Sequence, residues 1–90
     1  MITWDAEKRS KNLSDHGIDF AELASVFDYP MLTVEDSRLA YGEQRLQSLC
    51  WFRGRVVVLI WTECNGAARL ISCRNGTKHE TRKYFKNTQF

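Results

Sequence analysis

The stretch Arg69-Leu-Ile-Ser-Cys-Arg-Asn-Gly-Thr-Lys-His-Glu-Thr-Arg-Lys-Tyr-Phe85 reads as a strand that turns directly into a helix. Arg69 to Arg74 alternates charged, apolar and small residues, the pattern of a half-buried strand. Asn75-Gly76 is a turn dipeptide. Thr77-Lys-His-Glu80 fits a capping box, in which the Thr77 hydroxyl accepts from the Glu80 N–H and the Glu80 carboxylate reaches back. The helix so opened carries Lys78, His79, Arg82, Lys83 and Lys86. Arginines at a strand end beside a basic helix with one histidine are suited to holding a phosphate.

Outward from that stretch, charge is unevenly spread. Net charge is only +2, too weak by itself to argue for a nucleic-acid partner. From Arg69 onward, however, six cations (Arg69, Arg74, Lys78, Arg82, Lys83, Lys86) face a single acid, Glu80. The middle of the chain holds Asp28, Glu35, Asp36 and Glu43. A local basic patch binds phosphate without a large net charge.

Ninety residues are read as one domain, 1–90, near the small end of what a hydrophobic core alone supports. Three cysteines, Cys50, Cys64 and Cys73, and no signal-peptide pattern at Met1 point to free thiols in the cytoplasm. The longest apolar run, Val56 to Trp61, is far too short to span a bilayer as a helix.

Before the central strands, Met1 to Trp4 is a short strand, and Asp5 to His16 a polar helix ended by Gly17. Ala6, Arg9, Leu13 and His16 share one side of it, which makes His16 a buried structural histidine. A second helix starts at Asp19, with Phe20, Leu23, Ala24 and Phe27 facing the core, and stops at Pro30. Met31 to Val34 is a strand, and Glu35 to Glu43 a loop.

Three strands follow: Leu46 to Phe52, Val56 to Thr62 and Ala68 to Arg74, joined by turns at Arg53-Gly54 and Asn65-Gly66. The unbroken Val-Val-Val-Leu-Ile-Trp run makes the second a central strand covered on both faces. A last helix runs from Thr77 to about Lys86, and Phe90 beyond it is a docking candidate. The expected class is α+β: two N-terminal helices, an antiparallel sheet of about four strands and a C-terminal helix. One face of so small a sheet is left partly open beside the last helix, the natural place for a ligand.

A set of residues spread along the chain carries a resemblance: Trp4-Asp5, Lys8, Asn12, His16-Gly17, Phe20, Val26-Phe-Asp28, Pro30, Glu35-Asp36, Tyr41-Gly-Glu-Gln-Arg45, Thr62-Glu63, Arg69-Leu-Ile-Ser72, Arg74 and Glu80. In that order and spacing the chain resembles the BrnT toxins of the RelE-like superfamily. The resemblance implies a ribonuclease toxin of a type II toxin–antitoxin pair with a RelE-like fold and no cofactor. It also implies a BrnA-type antitoxin with a ribbon-helix-helix part, through which alone the complex would reach and repress its operator DNA. Two positions depart from the family's pattern. Cys64 stands where an arginine is usual, and Cys73-Arg-Asn-Gly76 replaces Ala-Arg-Lys-Ala, so Asn75 stands for a lysine.

RNA cleavage without a metal requires a base for the 2′-hydroxyl, positive charge on the phosphorane and a proton for the 5′-oxygen. Arg74 is the first candidate for the phosphorane, because a guanidinium is always charged and grips two oxygens. Arg69 and Arg82 come next. Strand alternation puts Arg69 and Arg74 on opposite faces unless the strand twists or bulges. The plain alternative for a strand-end arginine is a solvated surface charge.

His79 is the residue of that helix start that titrates near neutral pH, as acid or base; its alternative is an exposed first-turn side chain. Glu63 is a possible base or a solvated hairpin carboxylate. Lys8 and Lys11 on the first helix, with Arg82 and Lys83 on the last, make an RNA-binding rim or solvated helix faces. Tyr84 stacks on a base or, more simply, packs in the core. Cys64, Cys73 and His79 lack a C-x-x-C spacing and a fourth ligand, which argues against a metal site.

Two functions from different classes follow. One is an endoribonuclease toxin silenced by its antitoxin. The other is a non-catalytic module that keeps antitoxin binding and operon autoregulation, motivated by Cys64 and Asn75. A basic RNA-binding protein unrelated to toxins is opposed by the near-neutral charge and by the absence of an evident stripe of exposed aromatics.

Overall fold

The computed structural model of the chain describes residues 1–36 and 44–88. Five strands form one sheet in the order β1-β5-β4-β3-β2: β1 Ile2–Trp4, β2 Leu32–Glu35, β3 Leu46–Phe52, β4 Arg55–Cys64 and β5 Ala67–Asn75. Helix α1 spans Ala6–His16 and helix α2 Lys78–Asn87. The α+β class therefore holds, with two differences of detail.

The first difference is the sheet. It has five strands and is mixed, because β1 runs parallel to β5, with Ile2 opposite Ala68 and Trp4 opposite Leu70. The chain can return in parallel only because α1 and β2 to β4 lie between the two partners. The remaining pairings, β2–β3, β3–β4 and β4–β5, are antiparallel as expected. Both hairpins turn through a residue pair with positive φ, Arg53-Gly54 and Asn65-Gly66, the mirror-image turns that match strand twist.

The second difference is the expected second helix. Two 3-10 turns, Phe20–Glu22 and Ala24–Asp28, take its place. Phe20, Leu23 and Val26 are the fully buried residues, spaced by three, which is one turn of a 3-10 helix. Ala24 is exposed and Phe27 half-buried. The first turn opens on the Asp19 carboxylate, which accepts from the Ala21 N–H at 3.0 Å.

These turns cover one face of the sheet. Ile18, Phe20, Leu23 and Val26 pack on Cys50, Phe52, Val57, Leu59, Leu70 and Cys73. The other face holds a smaller cluster of Leu49, Val56, Val58 and Tyr84, flanked by Leu32 and Trp51. Tyr84 is core, with its hydroxyl donating to Pro30 O at 2.7 Å. β4 is buried on both faces from Val56 to Leu59, as its unbroken apolar run requires.

Helix α1 docks through a polar residue. Asn12 is its buried position, while Leu13 is 47% exposed. His16 is exposed as well. The expected burial of His16 fails because α1 leans on the sheet edge through Asn12 and through Arg9, which grips Asp19 at 2.7 and 3.0 Å and lies over the Trp4 ring. Most of the loop expected over Glu35–Glu43, the resemblance positions Tyr41-Gly42-Glu43 and the docking of Phe90 lie outside the described residues.

Candidate functional site

An extra residue in β5 decides which side chains meet. Opposite β4, Ile60 pairs with Ser72 and the next residue, Trp61, with Leu70. Ile71 is therefore bulged, and the alternation of β5 shifts by one at that point. Arg74 lies opposite Val58 and Arg69 opposite Thr62. Val58 and Thr62 are four apart on a strand whose pairing with β3 is continuous, so both face the same way. Arg69 and Arg74 consequently share the α2 face.

Arg74 is bound to the start of α2. Its Nη1 and Nη2 donate to the two Glu80 oxygens at 2.8 and 2.9 Å. Glu80 also accepts from the Thr77 N–H at 2.9 Å, and its own N–H donates to Thr77 Oγ1 at 3.1 Å. The capping box read from the sequence is thus present and fastened to β5. The Arg74 guanidinium holds the Glu80 carboxyl well below the usual range, at about 2.

Helix α2 covers only part of its face. The row Leu32–Leu49–Val58–Arg74 lies across the sheet, and Leu49 and Val58 are buried under the helix. The adjacent row is Val34–Gln47–Ile60–Ser72. There Val34 is exposed, and Gln47, Ile60 and Ser72 are half-buried. This row is the floor of the open strip expected beside the last helix.

Cations stand at both ends of the strip. At the β2 end, exposed His79 and Lys83 of α2 line a cleft of about 180 Å³ with Leu32, Val34, Gln47 and Leu49. At the β5 end, Lys8, Lys11 and His16 of α1 line one of about 240 Å³ with Ile71 and Ser72. Lys11 is bonded to Asp15 at 2.8 Å, one helical turn on. Exposed Arg69 lies on the same face beyond Ser72, opposite Thr62.

Other candidates fall elsewhere. Arg82 is exposed and lies across α2 from buried Tyr84, on the solvent side with Lys78 and Lys86. Glu63 pairs with Ala68 on the opposite face, where it lines an open cleft of about 400 Å³ with Phe27, Asp28 and Trp61. Cys64 is exposed at the hairpin, Cys73 is buried in the larger cluster and His79 is on α2, so those three do not converge. No group of three or more metal-ligating side chains occurs among the described residues.

Sequence reasoning missed Gln47, Ser72 and His16 as parts of the strip. Gln47 and Ser72 are ordinary strand positions, and only the register brings them together. The polar content of α1 was a usable signal for His16: a helix with so few apolar residues has little to bury.

The family model described as "Ribonuclease toxin, BrnT, of type II toxin-antitoxin system" matches residues 4–80. Among solved structures, the 1.1 Å crystal structure of the Brucella abortus ribonuclease toxin, BrnT, is similar, with a TM-score of 0.66 and 26% identity. The match covers 86% of this chain and 96% of that one. No curated protein matches the chain. The two findings agree on one assignment across nearly all the elements described above: the chain belongs to the BrnT family, the ribonuclease toxins of type II toxin–antitoxin systems.

Proposed function

We propose that this chain cleaves single-stranded RNA on the uncovered strip of the α2 face, by attack of the substrate's own 2′-hydroxyl. One observation carries the reading: the bulge at Ile71, which brings Arg69 onto the face that holds Arg74, His79 and Lys83. An internal nucleophile needs proton transfer and charge neutralisation but no activated water. Cations and an imidazole around a shallow strip supply those needs.

In this reading Lys8, Lys11 and Lys83 hold phosphates along the strand, and Arg82 adds charge from the outer side of α2. His79 takes the proton of the 2′-hydroxyl. The 2′-oxygen bonds to phosphorus as the P–O5′ bond breaks, giving a 2′,3′-cyclic phosphate. The 5′-oxygen leaves with a proton drawn from water, and the hydroxide left behind takes up the proton that His79 holds, which restores both. Arg69 neutralises the phosphorane. Arg74, through Glu80, fixes the helix start that carries His79. Glu63, on the other face, takes no part. The partner is a BrnA-type ribbon-helix-helix antitoxin that covers the strip and the basic helix, and DNA is reached only through it.

A second reading is a module that binds antitoxin without cleaving. The Arg74–Glu80 pair favours it, because the guanidinium best suited to a phosphorane already grips a carboxylate. One experiment separates the two. The chain is induced without a partner, and growth and total RNA are followed beside Arg69→Ala and His79→Ala controls. Arrest with RNA fragments ending in 2′,3′-cyclic phosphate, relieved in the controls, supports cleavage. Intact RNA with abundant folded protein leaves the binding module.

A further inference from the structure

On the far side of α2 from the strip, Trp51 and Phe85 meet edge to face, with ring centroids 5.7 Å apart and an interplanar angle of 68°. Phe85 also meets Tyr84 edge-on at 5.4 Å. Unlike Tyr84, Phe85 keeps 48% of its surface exposed. With Arg55, Asn75, Gly76 and Thr81, the two rings line an open cleft of about 380 Å³. That is within the ~300–1,000 Å³ typical of small-ligand sites.

The binding groups of the cleft are the rings themselves. Arg55 and Asn75 are exposed, but the Arg55 guanidinium lies 5.8 Å from the Phe52 ring, on the other face of the sheet. Gly76 lets the wall come close: its N–H donates to Val56 O at 2.9 Å, and a Cβ there would lie 3.0 Å from that oxygen. Aromatic rings are the groups on which an unpaired base stacks, with nearby cations taking its phosphates. Between cleft and strip, the solvent side of α2 carries Lys78, Arg82 and Lys86 in one stripe. A strand lying over α2 would meet cations along its backbone.

We infer that this cleft binds one unpaired nucleobase of an RNA strand whose scissile phosphate lies on the strip and whose backbone crosses the cationic solvent side of α2, with Lys86 on an adjoining phosphate. The inference rests on the reading that RNA is the substrate. It makes Trp51, Phe85 and Lys86 binding residues, remote from the bond that breaks.

The test titrates the full chain with a 2′-O-methyl oligoribonucleotide of mixed sequence, which binds but offers no 2′-hydroxyl. Indole and amide N–H signals are followed by NMR. The Trp51 indole and Gly76 amide are expected to shift together with Ser72 and Arg69. Phe85→Ala and Lys86→Gln should each weaken binding about tenfold. On cleavable RNA they should raise KM and leave kcat near its original value. Both side chains are exposed, and dispersed spectra of each variant confirm folding independently. Shifts confined to the strip, with unchanged affinity in both variants, overturn the cleft and leave the RNA reading standing. No binding anywhere overturns both.

Discussion

The Asn12 side chain completes the hydrogen bonding of Cys73 as a neighbouring strand would. Its Oδ1 accepts from the Cys73 N–H at 2.8 Å, and its Nδ2 donates to Cys73 O at 3.0 Å. Strand β1 ends its pairing at Trp4 opposite Leu70, so β5 has no strand partner on that side at Cys73. Nδ2 also donates to Ile18 O at 3.0 Å, which ties the helix end, the first core residue after it and β5 at one point.

Asn12→Ala leaves three buried backbone groups without these partners. Each unsatisfied group costs about 1–3 kcal/mol, less whatever water recovers. We expect a loss of about 2–4 kcal/mol, read as a lower urea midpoint with little change in slope. A change below about 0.5 kcal/mol would mean that the amide is not what holds α1 to the sheet.

Acid should weaken the fold through two carboxylates. Arg74 lowers Glu80 from 4.5 to about 2, and Arg9 lowers Asp19 from 3.8 to about 2. A carboxylate with a depressed folded value stabilises fully above its unfolded value and loses that contribution as pH falls toward the folded one. Stability should therefore decline from about pH 4.5 down to about 2. Glu80→Gln should flatten part of this slope, and Asp19→Asn another part. An unaltered slope in both variants contradicts the assignment.

Arg69→Ala should separate chemistry from folding. Arg69 is exposed and caps no helix, so its urea midpoint should stay within about 0.5 kcal/mol of the parent. Cleavage of RNA by the purified chain should fall about 10²-fold, the usual effect of removing one preorganised charge donor. Arg69→Lys should recover part of it, since an ammonium keeps the charge but not the fork. Equal rates for parent and Arg69→Ala would remove Arg69 from the site.

The thiols should react unequally. Burial pushes the Cys50 thiol up strongly and the Cys73 thiol up to about 12, whereas Cys64 is exposed. Thiolate is the reactive form. Iodoacetamide at neutral pH should add one label to the native chain, at Cys64, and three after denaturation, as intact-mass measurement would show. Rapid native labelling of Cys73 would place it outside the core described here.

Much of this molecule follows from the sequence alone. The capping box at Thr77 and Glu80, both hairpin turns and the central position of β4 are local or composition-driven features. Each depends on residues close in the chain, or on a run apolar enough to demand burial on two faces. The concentration of cations after Arg69 is equally a sequence property. Other features depend on partners that are distant in the chain. The 3-10 turns at Phe20 and Val26 arise because that short segment must fit three side chains onto a formed sheet, and spacing alone does not distinguish a period of three from 3.6 there. Asn12 looks like any polar helix residue until β5 lies against it. The side on which Arg69 emerges depends on one bulged residue, Ile71, whose place is fixed by the pairing of β5 with β4. A strand's alternation is local, but its phase is set by its neighbours, and that phase puts Arg69 on the same face as Arg74, with Glu63 on the other face.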